Sequence, residues 1–259
     1  MSGKLAGRAV LVTRPAGMST QLAALLRAEG GEAVLLPTID ILAPDDTAKL
    51  DATIDRLEGF DIAIFISPTA VAKADAAVRG RRDWPARLRY AAIGSGTAAA
   101  LRKIGVAEMV VPQGRGDSDA LAALPELAAV TGRRVVIFRG QGGREALSDT
   151  LLARGAQVEY AECYRRALPR ADVRPLVDRW DKDGIDAVSV TSAQGLENLL
   201  ALLEASGDSG PALLRATPVF VPHPRVGDAA RSVGVERVIV TGAGDQALAD
   251  ALASFFAKV

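Results

Sequence analysis

VVIFRGQGGREAL, residues 135–147, runs from an apolar, strand-like segment through three glycines into a helix-like one. A Walker loop needs G-x-x-x-x-G-K-[ST], and no Lys-Ser or Lys-Thr follows these glycines. A dinucleotide fingerprint counted from Gly140 needs a third glycine where Glu145 stands. Neither nucleotide motif is met. What remains is a strand, a glycine turn and a helix start, a geometry that presents free backbone N–H groups to an anion.

This unit occurs twice. GRAVLVTR (7–14) aligns with GRRVVIFR (132–139), an offset of 132 − 7 = 125, and Leu22, Leu26 and Gly30 fall on Leu147, Leu151 and Gly155. FDIAIFISPTAV (60–71) aligns with IDAVSVTSAQGL (185–196) at the same offset, which sets Ser67 on Ser192. AAIGSGTAAALRKIGV (91–106) pairs with FVPHPRVGDAARSVGV (220–235), slipped to 129. Three pairs in order point to a duplicated architecture. AVLVT, DIAIFIS, YAAIG and EMVVP read as strands in the first half, and RVVIF, DAVSVT, PVFVP and RVIVT in the second. Their continuous apolar runs suit strands buried on both faces of a parallel sheet. The segments between them have helical spacing and end at glycine. The prediction is α/β: two doubly wound parallel-sheet domains with right-handed crossovers. LLPTIDILAPDD (35–46) and VEYAECYRRALPR (158–170) read as extended links, and periodicity permits a swap of the first strand–helix unit into the second half.

Composition narrows the chemistry. With 31 basic and 31 acidic residues there is no global field for nucleic acid, so any anion site is local. One histidine, His223, and one cysteine, Cys163, nearly exclude a zinc site built from those ligands, and no metal is expected. A hydrolytic triad would have to be built on His223 alone. No run reaches the length needed to span a bilayer, and MSGKLAGRAVLVTR lacks an apolar leader core. These features predict a soluble, cytoplasmic chain.

The ordered segments VLVTRP (10–15), PTIDI (37–41), FDIAIFIS (60–67), AIGSGTAxAL (92–101), RGxGGRExL (139–147), YRR (164–166) and DAVSVTS (186–192) together resemble the uroporphyrinogen-III synthase family across nearly the whole chain. The resemblance implies domain 1 from residues 1–37 and 168–259, domain 2 from 42–163, and a two-stranded β linker at 38–41 and 164–167. It implies conversion of hydroxymethylbilane to uroporphyrinogen III, with loss of water and inversion of ring D, without cofactor. A monomer is expected, with a transient contact to the preceding pathway enzyme.

On that resemblance Tyr164 faces the cleft and assists loss of the hydroxyl; a phenol is a modest acid, with a pKa near 10. Ser67 and Ser192 place hydroxyl and N–H donors toward substrate carboxylates, or simply cap helices. Thr69 stands where the family commonly has Asn, after Pro68, which has no N–H. Gly94, Ser95 and Thr97, and Gly140 and Gly142, form loops that a ligand can approach closely. Arg14, Arg139, Arg144 and Arg225 offer forks to carboxylates, or salt bridges to neighbouring acids. Thr191 closes a second-half strand, and His223 stands where the family more often has Ser. The rival readings are a non-catalytic tetrapyrrole- or polycarboxylate-binding module and a two-lobed sugar or nucleotide binder.

Overall fold

In the computed structural model, residues 3–114, 116–143, 145–207 and 209–258 are described. The chain divides into two compact units, Met1–Asp40 with Ala167–Val259, and Ile41–Arg166. It starts in the first unit with β1 (Ala9–Val12), α1 (Thr20–Ala28) and β2 (Glu32–Leu35), and passes through β3 (Asp40–Leu42). The second unit holds α2 (Thr47–Asp55), β4 (Ile62–Phe65), α3 (Pro68–Arg79), β5 (Arg89–Ala92), α4 (Ser95–Lys103), α5 (Ser118–Ala122), α6 (Pro125–Ala128), β6 (Arg134–Gly140), α7 (Ala146–Ala153) and β7 (Gln157–Ala167). The chain then completes the first unit with α8 (Arg174–Trp180), β8 (Ala187–Ser189), α9 (Ala193–Glu204), α10 (Ser209–Ala216), β9 (Val219–Val221), α11 (Pro224–Ser232), β10 (Val238–Val240) and α12 (Asp245–Phe256).

Each unit is a five-stranded sheet, ordered β10-β9-β8-β1-β2 in one and β3-β7-β6-β4-β5 in the other. β1 pairs in parallel with both β2 and β8, so the first strand is built into a sheet completed by the second half of the sequence. The central strands are buried on both faces, with alternate residues serving opposite layers. In the first unit Val10 and Val12 pack with Leu22, Leu26, Leu248 and Leu252, while Leu11 packs with Leu196, Leu199 and Leu214. In the second, Ile62 and Ile64 pack with Leu121, Leu147 and Leu151, while Phe65 packs with Val71, Leu101 and Phe138. Gly30 and Gly155, twins in the repeat, both take positive φ (82° and 81°) just after α1 and α7, a backbone turn that glycine makes without a Cβ penalty.

Two elements differ from the sequence reading. EMVVP does not form a strand; its contribution is a single bridge, Val110 to Ala91, and Pro112 supplies no N–H to extend it. The second extended link is an 11-residue strand, β7, embedded between β6 and β3. Its register slips once: Arg139 pairs with Glu162, but Gly140 pairs with Tyr164, leaving Cys163 as an extra residue. A bulge of this kind re-aims the side chains that follow it.

Candidate functional site

In both sheets the direction of strand addition reverses once, between β1 and β8 in the first unit and between β6 and β4 in the second. Ligand crevices of doubly wound sheets open at the carboxyl ends of the strands at such a switch point. The serine and glycine loops singled out in the sequence lie at these ends.

In the second unit Ser67 follows β4 and caps α3, its Oγ accepting the Ala70 N–H at 3.0 Å. The same oxygen lies 3.2 Å from the Tyr164 hydroxyl. Tyr164 is only 1% exposed, with its hydroxyl against that of Ser67. The cause is the bulge at Cys163. Without it Cys163 and Tyr164 would point to opposite faces, whereas both enter the core layer that contains Phe65 and Phe138. Gly140 is the counterpart of this packing: a Cβ there would fall 2.7 Å from Cε2 and Cζ of the Tyr164 ring. The Tyr164 ring by itself therefore requires glycine at 140. Gly94 has a similar cause, since its Cβ would meet the Gly116 Cα at 2.9 Å. Thr97 is turned inward at 3% exposure, leaving Ser95 as the exposed hydroxyl of that loop. Thr69 is half-buried at the start of α3, and Gly142, with φ of 71°, has open space where a side chain would stand. Arg144 lies outside the described residues.

Cys163 donates through Sγ toward the Arg139 carbonyl at 3.3 Å, and burial pushes its thiol pKa up to about 12. The folded protein should therefore resist a water-soluble disulfide reagent at pH 8, with one equivalent reacting after denaturation. Rapid labelling of the native chain would contradict this burial. Above about pH 9 an unfolded thiol ionises while the folded one stays protonated, so this group withdraws stability as pH rises toward 12.

Arg139 is 4% exposed at the end of β6. Its Nε donates to the Gly140 carbonyl at 3.2 Å and lies 3.7 Å from Glu162 Oε1, while the guanidinium stacks 4.2 Å over the Tyr160 ring. Tyr160 escaped the sequence reading because nothing in a strand pattern marks which tyrosine meets an arginine.

In the first unit Ser192 repeats the role of Ser67, its Oγ accepting the Gly195 N–H at 3.0 Å from the cap of α9. Thr191 beside it is half-buried. Thr13 Oγ1 donates to the Ser189 carbonyl at 2.8 Å, Thr38 Oγ1 to the Thr13 carbonyl at 2.9 Å, and Asn198 Nδ2 to the Thr38 carbonyl at 2.6 Å. Arg14 is not a free fork: it is paired with Asp245, the first residue of α12, with both side chains largely buried. Acidic residues suit a helix N-terminus, and Asp245 there meets Arg14 in the loop after β1. His223 caps α11 by backbone only and is exposed, as is Arg225 in the first turn.

The family model described as uroporphyrinogen-III synthase HemD matches residues 20–249. The chain belongs to the uroporphyrinogen-III synthase family. Among named relatives in the family, the uroporphyrinogen-III synthase of Salmonella typhimurium is 39% identical over 194 residues, 74% of this chain and 79% of that one. The Escherichia coli protein of the same name is 36% identical over 195 residues, 75% and 79% of the two chains. In fold, the chain matches a mutant uroporphyrinogen III synthase from Thermus thermophilus with a TM-score of 0.60 at 19% identity, covering 96% of this chain and 97% of that one. The Helicobacter pylori uroporphyrinogen-III synthetase matches with a TM-score of 0.60 at 13% identity, covering 96% and 99%. The resemblance read from the ordered segments and the two-sheet α/β fold are thus both upheld. Among the described residues, no helix is long and apolar enough to cross a membrane.

Proposed function

We propose that this chain is a hydro-lyase that cyclises hydroxymethylbilane to uroporphyrinogen III, losing the terminal hydroxyl as water and inverting ring D. The observation that carries the reading is the family match over residues 20–249, together with relatives bearing that enzyme's name at 36–39% identity. The rims are compatible with a substrate that bears many carboxylates. Each rim offers a serine-capped helix start, at Ser67 and Ser192, whose first-turn N–H groups favour negative charge by roughly 0.3–1 kcal/mol per contact. Catalysis on this reading is positional: donors fixed on rigid strand ends hold a flexible substrate in the pose that permits ring inversion.

Within that reading Tyr164 is a positioning residue. Buried behind Ser67, it hydrogen-bonds the Ser67 hydroxyl and limits where that donor can point. Ser95, Gly142, Thr69, Thr191, His223 and Arg225 are assigned to substrate contact at the two rims. The reading places the enzyme in the cytoplasm as a monomer.

The test is direct. Purified protein is incubated with freshly made hydroxymethylbilane, the products are oxidised, and uroporphyrin isomers I and III are separated. Predominant isomer III is expected, because spontaneous closure without inversion yields isomer I. Isomer I alone, at the uncatalysed rate, would leave a binding module in place of the enzyme.

A further inference from the structure

Ser67 and Tyr164 share one hydrogen bond, 3.2 Å between oxygens, and their surroundings decide which of them donates it. Tyr164 is 1% exposed, and among the described residues its hydroxyl has no partner but Ser67. Were Ser67 the donor, the phenol hydrogen would be buried without an acceptor, a loss that native structures seldom bear. Tyr164 therefore donates. Ser67 Oγ also accepts the Ala70 N–H at 3.0 Å, so both of its lone pairs are taken. Its own hydrogen has no acceptor among the described residues, and Ser67 is half-buried just past the carboxyl end of β4, where a ligand can reach it. Toward a ligand this serine is a donor and nothing else.

The repeat supplies a contrast. Among the described residues Ser192 Oγ accepts only the Gly195 N–H, and the residue matching Tyr164 is Ile39 (164 − 125 = 39), which has no hydroxyl. The hydroxyl next to it in sequence, Thr38 Oγ1, donates to the Thr13 carbonyl at 2.9 Å. Ser192 thus keeps a lone pair and can turn either way. The helix starts differ too. In the first turn of α9 the N–H groups of Ala193 and Gln194 are open to an anion. In α3 Pro68 has none and that of Ala70 is taken, which leaves Thr69. A carboxylate, with its several acceptor sites, suits Ser192; a single neutral oxygen suits Ser67.

We propose that Ser67 hydrogen-bonds the hydroxymethyl oxygen that the substrate loses, and that Tyr164 acts through Ser67 by holding its hydrogen outward. The inference rests on the synthase reading and separates two serines which that reading treats alike. As the C–O bond breaks, its electron pair goes to the departing oxygen, and the Ser67 hydrogen lies where that charge develops. The serine keeps its proton. The oxygen leaves as hydroxide, and the proton given up by the pyrrole carbon that forms the new ring bond balances it as water.

Steady-state assays with hydroxymethylbilane test this. Ser67→Ala should lower kcat about a hundredfold with KM within about threefold, the mark of a donor used in the transition state. Tyr164→Phe should cost roughly three- to tenfold in kcat, as Ser67 regains its freedom to turn. The double variant should match Ser67→Ala within about twofold, because Tyr164 acts only through the serine. Ser192→Ala should instead raise KM roughly three- to tenfold and leave kcat within about twofold. Ser67→Ala also removes the cap of α3. If it does not fold, Ser67→Asp keeps a cap and an acceptor for Tyr164 but has no hydrogen to give, and should show the same loss of kcat. Losses that multiply in the double variant would put Tyr164 itself on the substrate and overturn the proposal. So would a raised KM with kcat intact in Ser67→Ala, or equal kcat losses at Ser67 and Ser192. The free chain gives a check independent of turnover. NMR should show a slowly exchanging Tyr164 hydroxyl hydrogen beside the Ser67 β-hydrogens, and its absence in the wild type overturns the lock. A wild-type chain that makes no isomer III defeats the synthase reading and the choice of acceptor, and leaves the lock to the NMR result.

Discussion

Gly140→Ala is expected to destabilise the second unit by about 2–3 kcal/mol, at the upper end of overpacking by one methyl group. The added Cβ would sit 2.7 Å from two ring carbons of Tyr164 and 3.2 Å from its hydroxyl, well inside normal contact. The ring cannot swing away cheaply. It is 1% exposed, sits in the same layer as Phe65 and Phe138 (themselves stacked at 4.9 Å), and is held on a bulged strand. Relief therefore comes by moving β6 from β7 or by tilting the phenol off Ser67, and the second route should also lower turnover. Tyr164→Phe leaves the clashing carbons in place and should not rescue the alanine. Tyr164→Leu should, so that in its background Gly140→Ala costs about 1 kcal/mol or more less than in the wild type, a coupling of the size expected for residues in contact. Urea unfolding of the four chains closes the cycle. Additive costs would mean that Gly140 is glycine for some reason other than the ring.

The central strands and the helices between them were legible because burial on both faces writes a continuous apolar run, and helix ends write a glycine. The caps at Ser67 and Ser192 were legible because a serine between strand and helix has a local task whatever surrounds it. Tyr164 was not. Which face a strand residue serves follows from counting by two, and the single slipped pairing at Arg139/Gly140 breaks that count without any mark in VEYAECY. Arg14 and Arg139 illustrate a different limit, since a side chain at a strand end meets whatever the tertiary fold brings there: an aspartate for one, a tyrosine face for the other. The pairing of β1 with β8 was permitted by the repeat and not decided by it. The reason is visible at the opposite edge of the sheets. Asp186 accepts the Ala9 N–H and the Arg8 guanidinium, both at 2.8 Å, while Asp61 accepts the Arg134 N–H at 2.8 Å and the Arg133 guanidinium at 3.0 Å. The two clamps are identical under the 125-residue offset, so the sequence satisfies either assignment of partners equally well.

Those clamps carry the second large effect. Asp61→Ala strips the Arg134 N–H of its acceptor at the start of β6, and Asp186→Ala does the same to Ala9 at the start of β1. An orphaned buried donor costs about 1–3 kcal/mol. Asp61 belongs in the lower half of that range because its side chain is 36% exposed, and Asp186 in the upper half because its side chain is 19% exposed. The two clamps share no partner, so the double variant should lose the sum within about 0.5 kcal/mol. Hydrogen exchange gives the sharper readout. Asp61→Ala should speed exchange in β4 and β6, and Asp186→Ala in β1 and β8, each leaving the other sheet protected. Loss of protection in β1 on removal of Asp61 would contradict the assignment of partners. The pH dependence has a definite sign for Asp61. The Arg134 N–H first, and then the Arg133 guanidinium, hold its carboxyl below the usual aspartate range. A depressed folded pKa contributes stability that is complete above the unfolded value near pH 4 and fades as pH falls through the folded one. The gap between wild type and Asp61→Asn should therefore be widest near neutrality and shrink below about pH 4. A gap that stays constant down to pH 3 would assign the effect to shape and remove the charge from the clamp.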